Sequence, residues 1–234
     1  MYIKMKITAV IPVRTGSQRV HDKNLRPFAD STLLDIKIRE LQKVEELSCI
    51  IVNTNSDELV SRINRQYAGG KVRAQRREDY YASSACSGSE FFQHLGEVTD
   101  TDIFVYTPCT SPFIKAETIS RCIQTYLKER GQGCDSVSTV SSVKEFLWLD
   151  GKAINYDPRH APNSQDLPDI VALKFGCSVI SRDRLISGRN IIGKKPKFVT
   201  DTDIEAIDID TPLDFYIAEQ LYIKLNVEHK GILD

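Results

Sequence analysis

Apolar positions along this chain recur in two alternating rhythms. Ile7 to Val13 is a continuous apolar run rich in β-branched residues, and Cys49 to Val52 and Ile103 to Tyr106 are shorter ones; each predicts a buried strand. Between them the spacing becomes helical. Leu34, Ile38 and Leu41 lie on one face behind Ser31, which is placed to cap a helix, and Ser56 followed by Asp57 and Glu58 marks the start of a second. Gly69-Gly70 closes that unit. Val72 to Ala74 predicts a short third strand and Gly88 to Leu95 a short helix. Ile119, Cys122, Ile123, Tyr126 and Leu127 form an amphipathic stripe. A strand–helix alternation of this kind predicts an α/β fold with a mostly parallel sheet flanked by helices, because parallel strands need crossover connections.

After Cys134 the rhythm changes. Ser136 to Val143 alternates as a strand does, Phe146 to Asn155 reads as a hairpin about Asp150-Gly151, and Ile170 to Ile180 is again strand-like. Residues 136–180 are therefore expected to form a small β-rich lobe that covers a sheet edge or builds a partner interface. Within it Phe146 and Trp148 suit either core or an interface. Ile204 to Ile209 predicts a last strand, and Leu213, Ile217 and Leu221 a buried stripe on a final helix. With no internal repeat and no linker, residues 1–234 are expected to form one domain.

Composition narrows the function. The 234 residues carry 31 Lys+Arg against 32 Asp+Glu, a net charge of -1, which gives no general case for nucleic-acid binding. No apolar run approaches the ~20 residues of a membrane span, and the N-terminal segment lacks the small-residue cleavage site of a signal peptide. The cysteines at 49, 86, 109, 122, 134 and 177 never pair as CxxC. They suit thiols in a reducing cytoplasm better than disulfides or a zinc site.

Against this neutral background the loop after the first strand stands out. Arg14, Arg19, Lys23 and Arg26 crowd a stretch with one acid, Asp22, and Gly16 and Ser17 add turn freedom and a hydroxyl. Ligands of open α/β sheets bind at the carboxyl ends of strands. The loop therefore suits a polyphosphate, against the plainer alternative of a solvated basic loop. It is neither a Walker A loop nor a GxGxxG fingerprint. Asp208 and Asp210, one residue apart, would face the same way on a strand and offer hard oxygens to Mg²⁺, or cap the following helix.

The loop Ile11 to Asn24 (IPVRTGSQRVHDKN) resembles the N-terminal signature of the CMP-sugar synthetases, the acylneuraminate and nonulosonate cytidylyltransferases, with Arg14, Gly16, Ser17, Lys23 and Asn24 in register. Three further segments resemble that family in order: Arg76 to Ser87, Thr110-Ser111-Pro112, and Ala206 to Pro212 (AIDIDTP) continuing to Glu219. The resemblance implies a Rossmann-like fold, usually dimeric, that transfers CMP from CTP to a sugar-acid hydroxyl and releases pyrophosphate, with Mg²⁺ as cofactor. It implies Arg14, Lys23 and Asp210 as catalytic; Arg14, Gly16, Ser17, Lys23, Asn24, Arg76 and Ser87 as nucleotide-binding, the register across Arg76-Arg77 being open by one residue. Thr110 and Ser111 are then acceptor-binding, and Asp208 and Asp210 bind the metal; Lys174, in a segment that departs from the family pattern, is expected to meet an acidic acceptor by its charge. Thr-Ser-Pro is also a common strand-to-helix turn. No histidine has ligand spacing, so the resemblance leaves activation of the hydroxyl to the metal.

The chain departs from the family at Thr15 and Gln18, at Pro108-Cys109, and most sharply at Leu173-Lys174-Phe175-Gly176, where relatives write roughly Arg-Pro-Asn-Gly. The expected acceptor is therefore a sialic-acid relative, another nonulosonic acid, an octulosonic acid or a non-sugar acid. A DxD glycosyltransferase is disfavoured because its acidic pair usually follows a mid-chain strand. A non-catalytic nucleotide-binding module is disfavoured by Lys23, Asp208 and Asp210 occurring together.

Overall fold

The computed structural model describes residues 5–16 and 20–230, with side chains to residue 226. Strands β1 (Ile7–Val13), β2 (Cys49–Thr54), β3 (Val72–Arg76) and β4 (Ile103–Tyr106) form a parallel set. They alternate with helices α1 (Leu33–Gln42), α2 (Asp57–Gln66) and α3 (Gly88–Val98). Helix α4 (Ala116–Glu129) leads to β5 (Ser136–Val143). The chain then returns through β8 (Ile170–Ser181), short α5 (Arg182–Gly188), β9 (Pro196–Thr200) and the last helix α6 (Pro212–Lys230). One seven-stranded sheet results, in the order β3-β2-β1-β4-β8-β5-β9, with β8 antiparallel to both its neighbours.

Alternation along each strand sends its side chains into two cores. Ala9, Ile11, Ile103, Val105 and Val179 join the larger, under α1, α4 and α6. Val10, Phe104 and Ile180 join Leu95 and Leu185 in the smaller, under α3 and α5. The latter two helices approach closely at Gly96, whose added Cβ would lie 2.7 Å from Ile186.

Local chemistry explains most helix starts. Ser56 accepts the Leu59 N–H (3.1 Å), as expected, but α1 is capped by Thr32, which accepts from Asp35 (3.1 Å), and not by Ser31. Ser31 instead pairs with Phe28 in a single antiparallel bridge.

Three expectations need correction. Ser136–Val143 and Ile170–Ser181 are strands of the main sheet, so the mid-chain excursion shrinks to residues 144–169. Its hairpin is β6 (Trp148–Leu149) and β7 (Lys152–Ala153), turned by Asp150 and Gly151 at φ 49 and 74. Residues 204–209 form no strand: Glu205 and Thr202 bond reciprocally (Glu205 N–H to Thr202 Oγ1, 3.2 Å) and hold a turn there. On α6 the buried positions are Phe215 and Ala218, while Leu213 and Ile217 are 65% and 51% exposed. That helix is apolar on more than one side, and Ile36, Leu41 and Ile119 belong to the core it helps to cover.

One cation is wholly inside. Lys37 of α1 is fully buried and donates to the Ser111 carbonyl at 2.8 Å. Burial lowers its pKa to about 8, against partial opposition from Cys109, Cys177, Glu40 and Asp201. The unfolded chain holds this proton up to its ordinary pKa of 10.5, whereas the folded chain releases it from about pH 8. The cost of the buried charge is therefore full below pH 8 and fades as pH rises to 10.5. Denaturant titrations should show the stability of the protein relative to Lys37→Met improving by ~3 kcal/mol across that window; a flat difference would contradict it.

Candidate active site

The carboxyl ends of β1 and β4 meet where the strand order reverses, the place where open α/β sheets bind ligands. A cavity of about 700 Å³ opens there. The loop after β1 is held over it from the far side. Phe28 is fully buried, edge-on to Phe215 (5.3 Å) and Tyr222 (5.4 Å), and the Ala29 N–H donates to Glu219 of α6 at 2.8 Å. That anchorage brings Arg14, Lys23 and Asn24 to one wall.

A second guanidinium lines the same cavity. Arg76 and Arg77 are adjacent at the end of β3 and point to opposite sides. Arg76 turns outward to Asp57 (2.7 Å) and Asp79 (3.6 Å), so Arg77 and not Arg76 lines the cavity. Arg77 is 3% exposed, donates to the Val13 carbonyl (3.0 Å) and lies over the Phe91 ring at 5.1 Å. Its buried Nε has no hydrogen-bond partner. Burial lowers its pKa to about 10, with Tyr106 opposing and the nearby charge of Arg14 adding to the fall. Arg14 itself reaches across to the Ala82 carbonyl at 3.4 Å. Two like charges within electrostatic reach of each other on one cavity favour an anion between them.

Ser87 lines the cavity, but its hydroxyl is engaged in capping α3: it donates to Glu90 (2.6 Å) and accepts the Glu90 N–H (3.2 Å). Thr110 also lines the cavity. Ser111 does not: it is 1% exposed and offers its carbonyl to Lys37. Gly16, at φ 80, turns the first loop without lining the cavity. Ser17, with Gln18 and Arg19, lies outside the described residues.

The acidic segment arrives from the other end of the chain. Lys23 Nζ donates to the Ile209 carbonyl at 2.6 Å, and the Ile209 N–H donates to the Thr110 carbonyl at 2.9 Å. Asp208 lines the cavity, whereas Asp210 is exposed and is not among the residues that line it. Burial and the Asp210 charge push the Asp208 carboxyl above its usual range, against a Thr110 hydrogen bond and the charges of Lys23 and Lys174. Asp208 Oδ1 is buried without a hydrogen-bond partner. No cluster of three or more His, Cys, Asp or Glu occurs among the described residues. Two carboxylates with one orphaned oxygen nevertheless fit Mg²⁺, which takes one or two carboxylates and completes its shell with water and substrate phosphates.

Sequence reasoning noted Phe175 only as part of a departing segment and gave it no role, though it lines the cavity beside Lys174, and it missed the aromatic wall of Tyr81, Phe92 and Tyr106. Tyr106 could have been found as the final residue of a strand. Nothing in the apolar pattern marked the others. His94, near this wall, stacks on Tyr81 at 3.6 Å and is buried, so it serves packing.

Comparison with known proteins identifies the family and the fold. The family described as Cytidylyltransferase matches residues 8–161. The CMP-N,N'-diacetyllegionaminic acid synthase of Legionella pneumophila is 28% identical over 96% of this chain and 99% of its own. The pseudaminic acid cytidylyltransferase of Campylobacter jejuni is 23% identical over 96% and 99%. Among solved structures, a CMP:2-keto-3-deoxy-manno-octonic acid synthetase complexed with CTP superposes with a TM-score of 0.67 at 14% identity, covering 94% of this chain and 99% of its own. The 4-diphosphocytidyl-2C-methyl-D-erythritol synthase of Anaerococcus prevotii gives the same TM-score at 15% identity, over 94% and 97%; these two speak to the fold. With residues 8–161 of its 234 matched, the chain belongs to the cytidylyltransferase family.

Proposed function

We propose that this protein transfers CMP from CTP to a hydroxyl of a nonulosonic acid, releasing pyrophosphate. The observation that carries the reading is the meeting of Arg14, Lys23 and Arg77 with Asp208 on one cavity. Cations on the cavity wall suit a triphosphate, and the Asp208 carboxylate, tied through Ile209 to Lys23, suits a metal-bound phosphoryl group. The relatives that span nearly the whole chain are named for acids of the nonulosonic class, which favours that class over octulosonic or non-sugar acids.

In this reading the acceptor oxygen forms a bond to the α-phosphorus, the α–β anhydride bond breaks, and the hydroxyl proton leaves to solvent. Arg14 and Lys23 hold the triphosphate, and Lys23 stabilises charge that grows on departing pyrophosphate. Asn24, whose buried side-chain oxygen has no hydrogen-bond partner, is free to accept from the ligand. Arg77 takes the nucleotide role first read for Arg76. Asp208 and Asp210 would hold Mg²⁺, which supplies charge neutralisation at the α-phosphate and lowers the pKa of the acceptor hydroxyl. Thr110 orients Asp208, and Lys174 faces the acceptor carboxylate.

The hairpin supports a homodimer. Trp148, Leu149 and Ile154 are each more than half exposed, and Phe146 and Trp148 stack edge-on against Tyr156 without entering either core. No described helix is long and apolar enough to cross a membrane. With all six cysteines free, a reducing cytoplasm remains the proposed setting.

Three experiments test this. Purified protein with CTP, Mg²⁺ and a panel of sugar acids should release pyrophosphate with nonulosonic acids; silence across the panel, without calorimetric CTP binding, would refute the reading. Asp208→Asn should melt at the same temperature or higher, since it removes a buried charge, while turnover falls on the order of 10²–10³; retained turnover would place the metal elsewhere. Light scattering should find a dimer that Trp148→Ser weakens, and a monomer at all concentrations would remove the dimer.

A further inference from the structure

Strand β8 carries a distortion that the reaction as described leaves unused. Against β5, Ser138 pairs with Ser178 and Val140 with Leu173, so residues 174–177 stand opposite Thr139 alone. The surplus turns Lys174 and Phe175 onto the cavity wall. Phe175 sits at φ 54 and is the one aromatic among the five described non-glycine residues with positive φ. A bulky side chain is disfavoured there because its Cβ crowds the following carbonyl.

The surroundings hold that conformation in place. A Cβ on Gly176 would lie 2.8 Å from the Ile114 side chain and 3.2 Å from Thr139 Oγ1, so no other residue fits without displacing them. The Thr107 hydroxyl donates to the Gly176 carbonyl at 3.0 Å, and the Cys177 N–H donates to Thr139 Oγ1 at 3.1 Å. Both bonds grip the backbone just beyond Phe175. Its ring belongs to neither core and remains 38% exposed. Glycine or asparagine would satisfy this backbone with less strain, so packing does not account for a phenylalanine here. Strain kept on a binding wall points to what binds there.

Lys174 lies within electrostatic reach of Asp208, which puts the bulge beside that carboxylate on the cavity wall. Resting on the reaction read above, we propose that Phe175 is a specificity-determining residue: it presents its ring to an apolar substituent of the acceptor, an acyl methyl or a deoxy carbon, while Lys174 meets the acceptor carboxylate. The preferred acceptors are then acylated, partly deoxygenated sugar acids, and fully hydroxylated ones are poor substrates.

Phe175→Gly and Phe175→Asn in the full chain test this with acceptors in matched pairs, with and without the acyl group. Catalytic efficiency for the acylated member should fall on the order of 10-fold or more. The unacylated member and CTP affinity by calorimetry should stay within about twofold. The melting temperature should hold or rise as strain is relieved. Equal losses on both members, or a lower melting temperature with the acceptor ranking unchanged, would overturn the inference while leaving the cytidylyltransferase reading intact. An unsubstituted protein that neither binds CTP nor releases pyrophosphate would overturn both.

Discussion

The candidate site depends on how a segment with no strand of its own is held at the carboxyl ends of the strands. Residues 207–210 have no ladder to fix them, yet they carry the carboxylates. Two hydrogen bonds take the ladder's place: Ile209 gives its N–H to Thr110 and receives Lys23 Nζ on its carbonyl. The Ile209 side chain is fully buried beneath them. Lys23 therefore ties the loop after β1 to the acidic segment, and Ile209 carries that tie on to the loop after β4. Loss of its charge would loosen the acidic segment.

That tie has a deeper support. Lys37 lies in the core and holds the Ser111 carbonyl, so the loop carrying Thr110 is fixed from beneath by a buried ammonium. A buried cation is costly when its partners are few. Here the cost maintains a turn whose carbonyls must point in set directions, which an apolar side chain could not specify. The floor of the cavity thus depends on a charge that never meets the ligand.

Much of this was legible beforehand. Strong apolar runs identified β1, β2 and β4, and serine-led acidic starts identified α2, because burial and capping act over a few residues and leave a local trace. The convergence of Arg14, Lys23 and Asp208 was legible through motif order. Three features were not. Ile204 to Ile209 alternates like a strand, but the reciprocal bonds of Thr202 and Glu205 form a turn first. Pro196–Thr200 is a short edge strand whose exposed, cationic face gives little periodic signal. Arg76 and Arg77 look equivalent in sequence, and only the termination of β3 decides which of them turns inward.

The pairing of Arg14 with Arg77 has a consequence for selectivity. In the proposed reading, two guanidiniums attract any polyanion in proportion to its charge, so they rank ATP, GTP and CTP alike. Selection of the base then falls to the uncharged cavity-lining residues between 81 and 88, whose backbone the Ser87–Glu90 cap holds.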